Sequence, residues 1–133
     1  MTNFSGAFTK TGIISIPSNL FDKCTKVTTF NQTFRECSSL QTIPTGLFDN
    51  CTKVTDFGGY SSSDYFMGTF SRCSNITGES PYTVINVDGQ DVKVHLYERV
   101  NYPDYFTAPT RIYNCYSNCS KLTDYSSIPT DWT

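Results

Sequence analysis

Alanine occurs only at Ala7 and Ala108 in the 133 residues, glutamate three times and leucine five times. All three are strong helix formers, and their scarcity excludes long helical bundles. Charge is balanced as well: ten basic against twelve acidic residues leave a net charge of −2 and a pI of about 5.2. The chain therefore lacks the basic stripe that grips nucleic acid and the polybasic segment that holds a protein to a membrane surface. No apolar run approaches the roughly 18 residues of a membrane span. Met1–Lys10 has no basic stretch leading into an apolar core, so no secretory signal is expected there. Histidine is nearly missing, with His95 alone. One histidine and a single closely spaced cysteine pair, Cys115 and Cys119, do not make a zinc-binding pattern. No metal, no cofactor and no catalytic residue is expected, and the chain reads as a non-enzyme.

Small hydroxyls and aromatics fill the space those residues leave. Fifteen serines and nineteen threonines accompany ten phenylalanines and nine tyrosines. Aromatic and β-branched residues suit pleated surfaces, and serine suits turns. The aromatic content of 15% gives enough buriable surface to argue against disorder. One β-rich, turn-rich unit is the natural reading of this length.

Internal similarity then organises the chain. Ile16-Pro17-Ser18-Asn19-Leu20-Phe21-Asp22-Lys23-Cys24-Thr25-Lys26-Val27-Thr28 returns as Ile43-Pro44-Thr45-Gly46-Leu47-Phe48-Asp49-Asn50-Cys51-Thr52-Lys53-Val54-Thr55, at an offset of 27 residues. A second unit, Phe-x-x-Cys-Ser-x-(Leu/Ile), occupies Phe34–Leu40 and Phe70–Ile76 and recurs with tyrosine at Tyr116–Leu122. A period in this range is the mark of stacked repeats too small to bury their own apolar faces. Leu40–Ile43 and Val54–Phe57 alternate as half-buried strands do. Thr33–Cys37 and Gly46–Cys51 are short enough for turns or brief helix. The predicted fold is a β-rich solenoid, leucine-rich-repeat-like with short helical turns between strands, and with an inserted β-hairpin. Its structural spine is Phe21, Cys24, Phe34, Cys37, Phe48, Cys51, Phe70, Cys73 and Cys119. The cysteines are read as reduced, inward-facing small hydrophobes. A bond between Cys115 and Cys119 is the disfavoured alternative.

The Phe-x-x-Cys-Ser-Ser-Leu unit at Phe34–Leu40, the Leu-Phe-Asp-x-Cys-x-x-Val-Thr stretches and the Ile-Pro strand ends resemble the BspA-like leucine-rich repeats of bacterial surface and phage-associated proteins. The resemblance covers about residues 2–76 and resumes over 116–132. It implies a solenoid used for attachment.

Two insertions interrupt the pattern. Phe30 and Phe34 are four residues apart, but the matching Phe57 and Phe70 are thirteen apart, so a loop of about residues 58–68 is added. It carries Tyr60, Tyr65 and Phe66 among glycines and serines. The second insertion, residues 78–114, contains two strand-like runs, Tyr82–Val87 and Val92–Tyr97, around Asp88-Gly89. This predicts a β-hairpin with a four-residue connection. Tyr97, Arg99, Tyr102, Tyr105 and Phe106 follow, and Asp-Tyr-Phe occurs in both insertions. Residues 1–77 are thus predicted as coils with the inserted loop, 78–114 as the hairpin module, and 115–133 as a final repeat with Trp132 capping the core.

Tyrosine and arginine contribute large contact area at modest entropic cost. Tyr60, Tyr65, Phe66, Tyr97, Arg99, Tyr102, Tyr105 and Phe106 are therefore the candidate binding residues. For Phe66 and Phe106, packing is favoured over contact. The functional expectation is a non-catalytic recognition or adhesion module for a protein or glycan on a cell surface, extracellular, surface-associated or carried on a virion. The alternative is a structural module of a phage fibre or bacterial surface assembly, with oligomerisation following from it.

Overall fold

The computed structural model describes residues 3–133; Met1 and Thr2, where the predicted first segment begins, lie outside the described residues. Strand formation is confined to one place. Tyr82–Val87 (β1) and Gln90–His95 (β2) pair antiparallel, with Tyr82 opposite His95 and Val87 opposite Gln90. Asp88 and Gly89 turn the chain with φ of 52° and 85°, the left-handed pair that matches strand twist in a two-residue hairpin loop. The connection is shorter than the sequence suggested, because Gln90 and Asp91 join the ladder. Leu96 and Tyr97 leave the strand and open a 3-10 helix, Leu96–Asn101. Two shorter 3-10 turns, Tyr125–Ser127 and Thr130–Trp132, lie near the C-terminus.

The predicted β-rich, leucine-rich-repeat-like solenoid is not formed. Among the described residues, strands occur in this open two-stranded sheet alone and helix is limited to the 3-10 segments. Leu40–Ile43 has no strand, and Val54–Phe57 has only a bridge at Asp56. Thr33–Cys37 and Gly46–Cys51 contain turns and no helix. The physical reason is visible in the backbone: Gln32, Glu36 and Arg72 take φ of 57°, 56° and 62°. A left-handed residue every few positions redirects the chain before a ladder can extend. The description as a leucine-rich-repeat protein is corrected with the solenoid: this is a small, mostly irregular domain that carries one hairpin.

Side chains are nevertheless in close register where the sequence motifs correspond. The rings of Phe8, Phe34, Phe70 and Tyr116 form a column with centroids 5.4, 5.4 and 5.8 Å apart and planes within 5° of parallel. A second column joins Phe4, Phe30 and Phe57 at 5.7 and 6.3 Å. Single parallel bridges, Asn3 to Thr29, Thr29 to Asp56 and Asp56 to Arg111, connect the neighbouring segments. Phe21 and Phe48 fill the space between the columns, and Trp132 packs on Tyr116 and Phe57 at one end. Of the predicted spine, all but Cys24 is buried; Cys24 is half-buried. All six cysteines are free thiols, and burial pushes Cys119 up to about 12. A second small core forms under the hairpin from Ile85, Val94 and Phe106.

Phe34 is wholly buried between two parallel rings. Phe34→Ala is expected to cost about 3–5 kcal/mol in urea denaturation, the usual loss for a buried phenylalanine. A loss below about 1 kcal/mol would show that the column does not carry the core.

Candidate functional site

The loop over residues 58–68 is built, not slack. A side chain on Gly58 or Gly68 would overlap the backbone of Tyr113 or Asn114, so glycine lets the loop lie directly on that segment. Asp64 Oδ2 accepts the amides of Tyr60 and Ser61 at 2.7 and 3.0 Å. The Ser71 hydroxyl donates to the Tyr65 carbonyl at 2.7 Å, and Asn114 Nδ2 to that of Ser62 at 3.2 Å. This frame holds three aromatics outward: Tyr60, Tyr65 and Phe66 are 65%, 58% and 45% exposed.

Arginines lie against two of them. The Arg111 guanidinium is 4.2 Å from the Tyr60 ring centre; Arg72 and Arg35 lie 4.7 and 5.1 Å from that of Phe66. These distances are within cation–π range. Glu36 is the shared counter-ion of Lys10, Arg35 and Arg72, at 3.4 to 3.5 Å from each. Arg111 lies 3.5 Å from Asp56, and with Asp64 in the loop these four cations face three carboxylates, an excess of one on a chain that is net negative. Phe66, expected to pack, is instead part exposed beside two guanidiniums.

The remaining predicted contact residues do not join this surface. Arg99 is fully buried and donates to the carbonyls of Cys51 and Phe48 at 2.8 and 3.0 Å. Its guanidinium also lies 4.4 Å from the Phe106 ring centre, and burial lowers its pKa to about 10, leaving it charged at neutral pH. Arg99 is thus a clamp that fixes the hairpin module to the main core. Phe106 is buried and Tyr102 half-buried in the small core. Tyr105 is part exposed and donates its hydroxyl to the Asn86 carbonyl at 2.8 Å. Tyr97 is half-buried, stacked on His95 with centroids 5.1 Å apart, and its hydroxyl donates to Asp124 at 3.2 Å.

One arrangement has no counterpart in the sequence reading. His95 closes β2 with Glu79, Glu98 and Asp124 around its ring. Only the Glu98 contact is local, three residues along. Glu79 and Asp124 are brought in by the fold, which no spacing could announce. Elsewhere, an apolar hollow of about 240 Å³ is lined by Phe8, Ile13, Ser15, Ile16, Pro17, Leu20 and Phe34. Ser15 is its one polar side chain, so little there can orient a polar substrate.

No family model, curated protein or solved structure matches the chain, and the likeness to BspA-like repeats rests on the motifs quoted above. Among the described residues, no helix is long and apolar enough to cross a membrane.

Two predictions follow from buried charge. Removing the Arg99 clamp takes the guanidinium donor from the Cys51 carbonyl and leaves the Phe48 carbonyl with the Cys51 amide alone, and a hydrogen bond from a charged group contributes about 1.5–3 kcal/mol. Arg99→Ala should therefore lower stability by about 3 kcal/mol in urea denaturation; an unchanged midpoint would mean that the clamp does not hold the module.

Asp56 is also buried. Burial pushes its carboxyl up, against the opposing pull of the Thr29 hydroxyl and Arg111. A carboxyl raised in the folded state holds its proton more tightly there than in the unfolded chain. Its contribution to stability is full below the ordinary aspartate value of about 4 and is lost as pH rises through the folded value. The melting temperature of the parent minus that of Asp56→Asn should therefore shrink as pH rises from about 4 towards 7. A difference that grows with pH would contradict the effect of burial.

Proposed function

We propose that this chain is a non-catalytic recognition module whose contact surface is the Tyr60–Phe66 segment with Arg35, Arg72 and Arg111. The single observation behind this reading is the combination of three outward aromatics on one hydrogen-bonded loop with arginines set against them. Tyrosine and arginine are the residues most often found to dominate binding interfaces. The loop's internal hydrogen bonds mean that little entropy remains to be lost on contact. The partner class is a protein or glycan displayed on a cell surface, and the local excess of cations favours one that carries carboxylates. An extracellular, surface-bound or virion setting goes with this reading.

The test is a screen of the full chain against arrays of surface proteins and of acidic glycans, followed by titration of any hit. The triple variant Tyr60→Ala, Tyr65→Ala, Phe66→Ala should lose at least about tenfold in affinity, since one interface hot spot is worth about 2 kcal/mol. Tyr105→Ala should bind as the parent does. Failure to bind in either array, or an unchanged affinity in the triple variant, overturns the proposal.

A further inference from the structure

The His95 cluster stands apart from the recognition surface and points to a different kind of ligand. Glu79 lies shortly before β1, His95 ends β2, and Asp124 precedes the Tyr125–Ser127 turn. Nε2 of His95 is 2.6 Å from Glu79 Oε2 and 3.7 Å from Asp124 Oδ2. One donor atom from each of the three residues falls within 4.8 Å of the others. On the other side of the ring, Nδ1 is 2.5 Å from Glu98 Oε1. The imidazole is largely buried, its side chain only 12% exposed.

We infer that Glu79, His95 and Asp124 form a binding site for one divalent transition-metal cation of the kind that takes nitrogen and oxygen donors, zinc being the model ion. Imidazole and carboxylate are suitable donors for such an ion, and three protein ligands leave a fourth position for water. Glu98 stands where metal-binding histidines commonly have their partner: a carboxylate that accepts Nδ1–H fixes the tautomer and turns the Nε2 lone pair towards the ion. A tetrahedral ion with bonds of about 2.0–2.1 Å keeps its donors about 3.3 Å apart. The Asp124 spacing is close to that, and Glu79 needs to withdraw by less than about 1 Å.

Charge supports the same reading. Three carboxylates surround the ring, and the other cation at the cluster is Lys93, 3.1 and 3.2 Å from the two Glu79 oxygens. Nε2 faces Glu79 and Asp124, the side an ion would take, while Nδ1 faces Glu98. Lys93 is part exposed and can turn into water when Glu79 binds the ion. A further observation lies outside the cluster itself. The Tyr116 hydroxyl is wholly buried with no hydrogen-bond partner. Burial, with the Asp124 charge among the lesser causes, pushes this hydroxyl up, and the Ser80 hydroxyl donates to Asp124 Oδ2 at 2.6 Å.

Cobalt(II) chloride titrated into the full chain at neutral pH, in a non-chelating buffer, tests the site. The expected result is one equivalent bound, with visible d–d absorption, no thiolate-to-cobalt charge-transfer band, and displacement by zinc chloride. Glu79→Gln and Asp124→Asn should each weaken binding at least tenfold, and Glu98→Gln should weaken it by about 10–100-fold as a positioning residue. Measured against its own metal-free melting temperature, the Glu79 variant should lose the rise that cobalt confers. Absence of binding, binding retained in the Glu79 and Asp124 variants, or a thiolate band that places the ion on cysteine each overturns the inference.

Discussion

A chain with almost no ladder must still satisfy its buried carbonyls, and that requirement shapes the rest of the molecule. Buried backbone groups left without partners are costly, and strands would ordinarily supply those partners. Here single amides of neighbouring segments, such as Phe8 to the Thr33 carbonyl and Phe34 to that of Thr69, supply part of them, and thiols and hydroxyls complete the set between stacked rings. The Phe8 carbonyl accepts the Thr11 amide and the Cys37 thiol; Phe34 accepts the Cys37 amide and the Cys73 thiol; Phe70 accepts the Cys73 amide and the Cys119 thiol. In the neighbouring column, Thr33 donates to the carbonyls of Phe4 and Phe30, and Thr69 to those of Phe30 and Phe57. Ring spacing of 5.4 to 6.3 Å therefore also sets the reach of these donors. The aromatic columns and the buried polar atoms are one construction.

The hairpin module is tied to that construction by charge. Arg99 reaches from the 3-10 helix after β2 into the main core and binds carbonyls at Phe48 and Cys51 while lying against Phe106 of the small core. Among the described residues, no carboxylate forms an ion pair with it. A guanidinium is tolerated in such a place because it is weakly hydrated and can stack on an aromatic face. On the other flank of the module, Ser80 and Tyr97 both donate to Asp124. One fastening is buried, and the other faces partly into water.

Much of the buried set was legible in the sequence, while the backbone path was not. The phase of phenylalanine and cysteine pointed to Phe34, Cys37, Phe70, Cys73 and Cys119, all of which are buried. That phase says only that corresponding residues face inward; it does not distinguish a strand from a run of turns. The deciding positions are Lys10, Glu36, Arg72 and Asn118, each two residues after a stacked ring and each left-handed at φ of 56° to 65°. Three of these are ordinary charged side chains that carry no local signal for that conformation, unlike Asp88-Gly89, whose turn chemistry is readable directly. The reduced, inward-facing cysteines also serve as hydrogen-bond donors, a role their spacing does not show. In the second insertion, Arg99 resembled a contact residue because composition cannot show which face of a segment meets the core; Phe106, for which packing was favoured, is buried.

The two Asp-Tyr-Phe stretches show how position, not composition, decides what an aromatic does. Phe106 has the Arg99 guanidinium on its ring and the hairpin over it, so its area is already used within the fold. Phe66 has guanidiniums on its ring as well, from Arg35 and Arg72, but they approach from the protein side and leave nearly half of it open. The same pairing of aromatic and arginine is thus an internal clamp in one insertion and an exposed pair in the other. The difference lies in what flanks each segment. Residues 58–68 rest on glycines that press the backbone against Asn114 and Tyr113, which turns the side chains outward. Residues 102–106 follow a hairpin whose apolar face must be covered, and that face takes the ring. An insertion that leaves the core unchanged keeps its aromatics exposed, and one that brings its own apolar surface covers it with them.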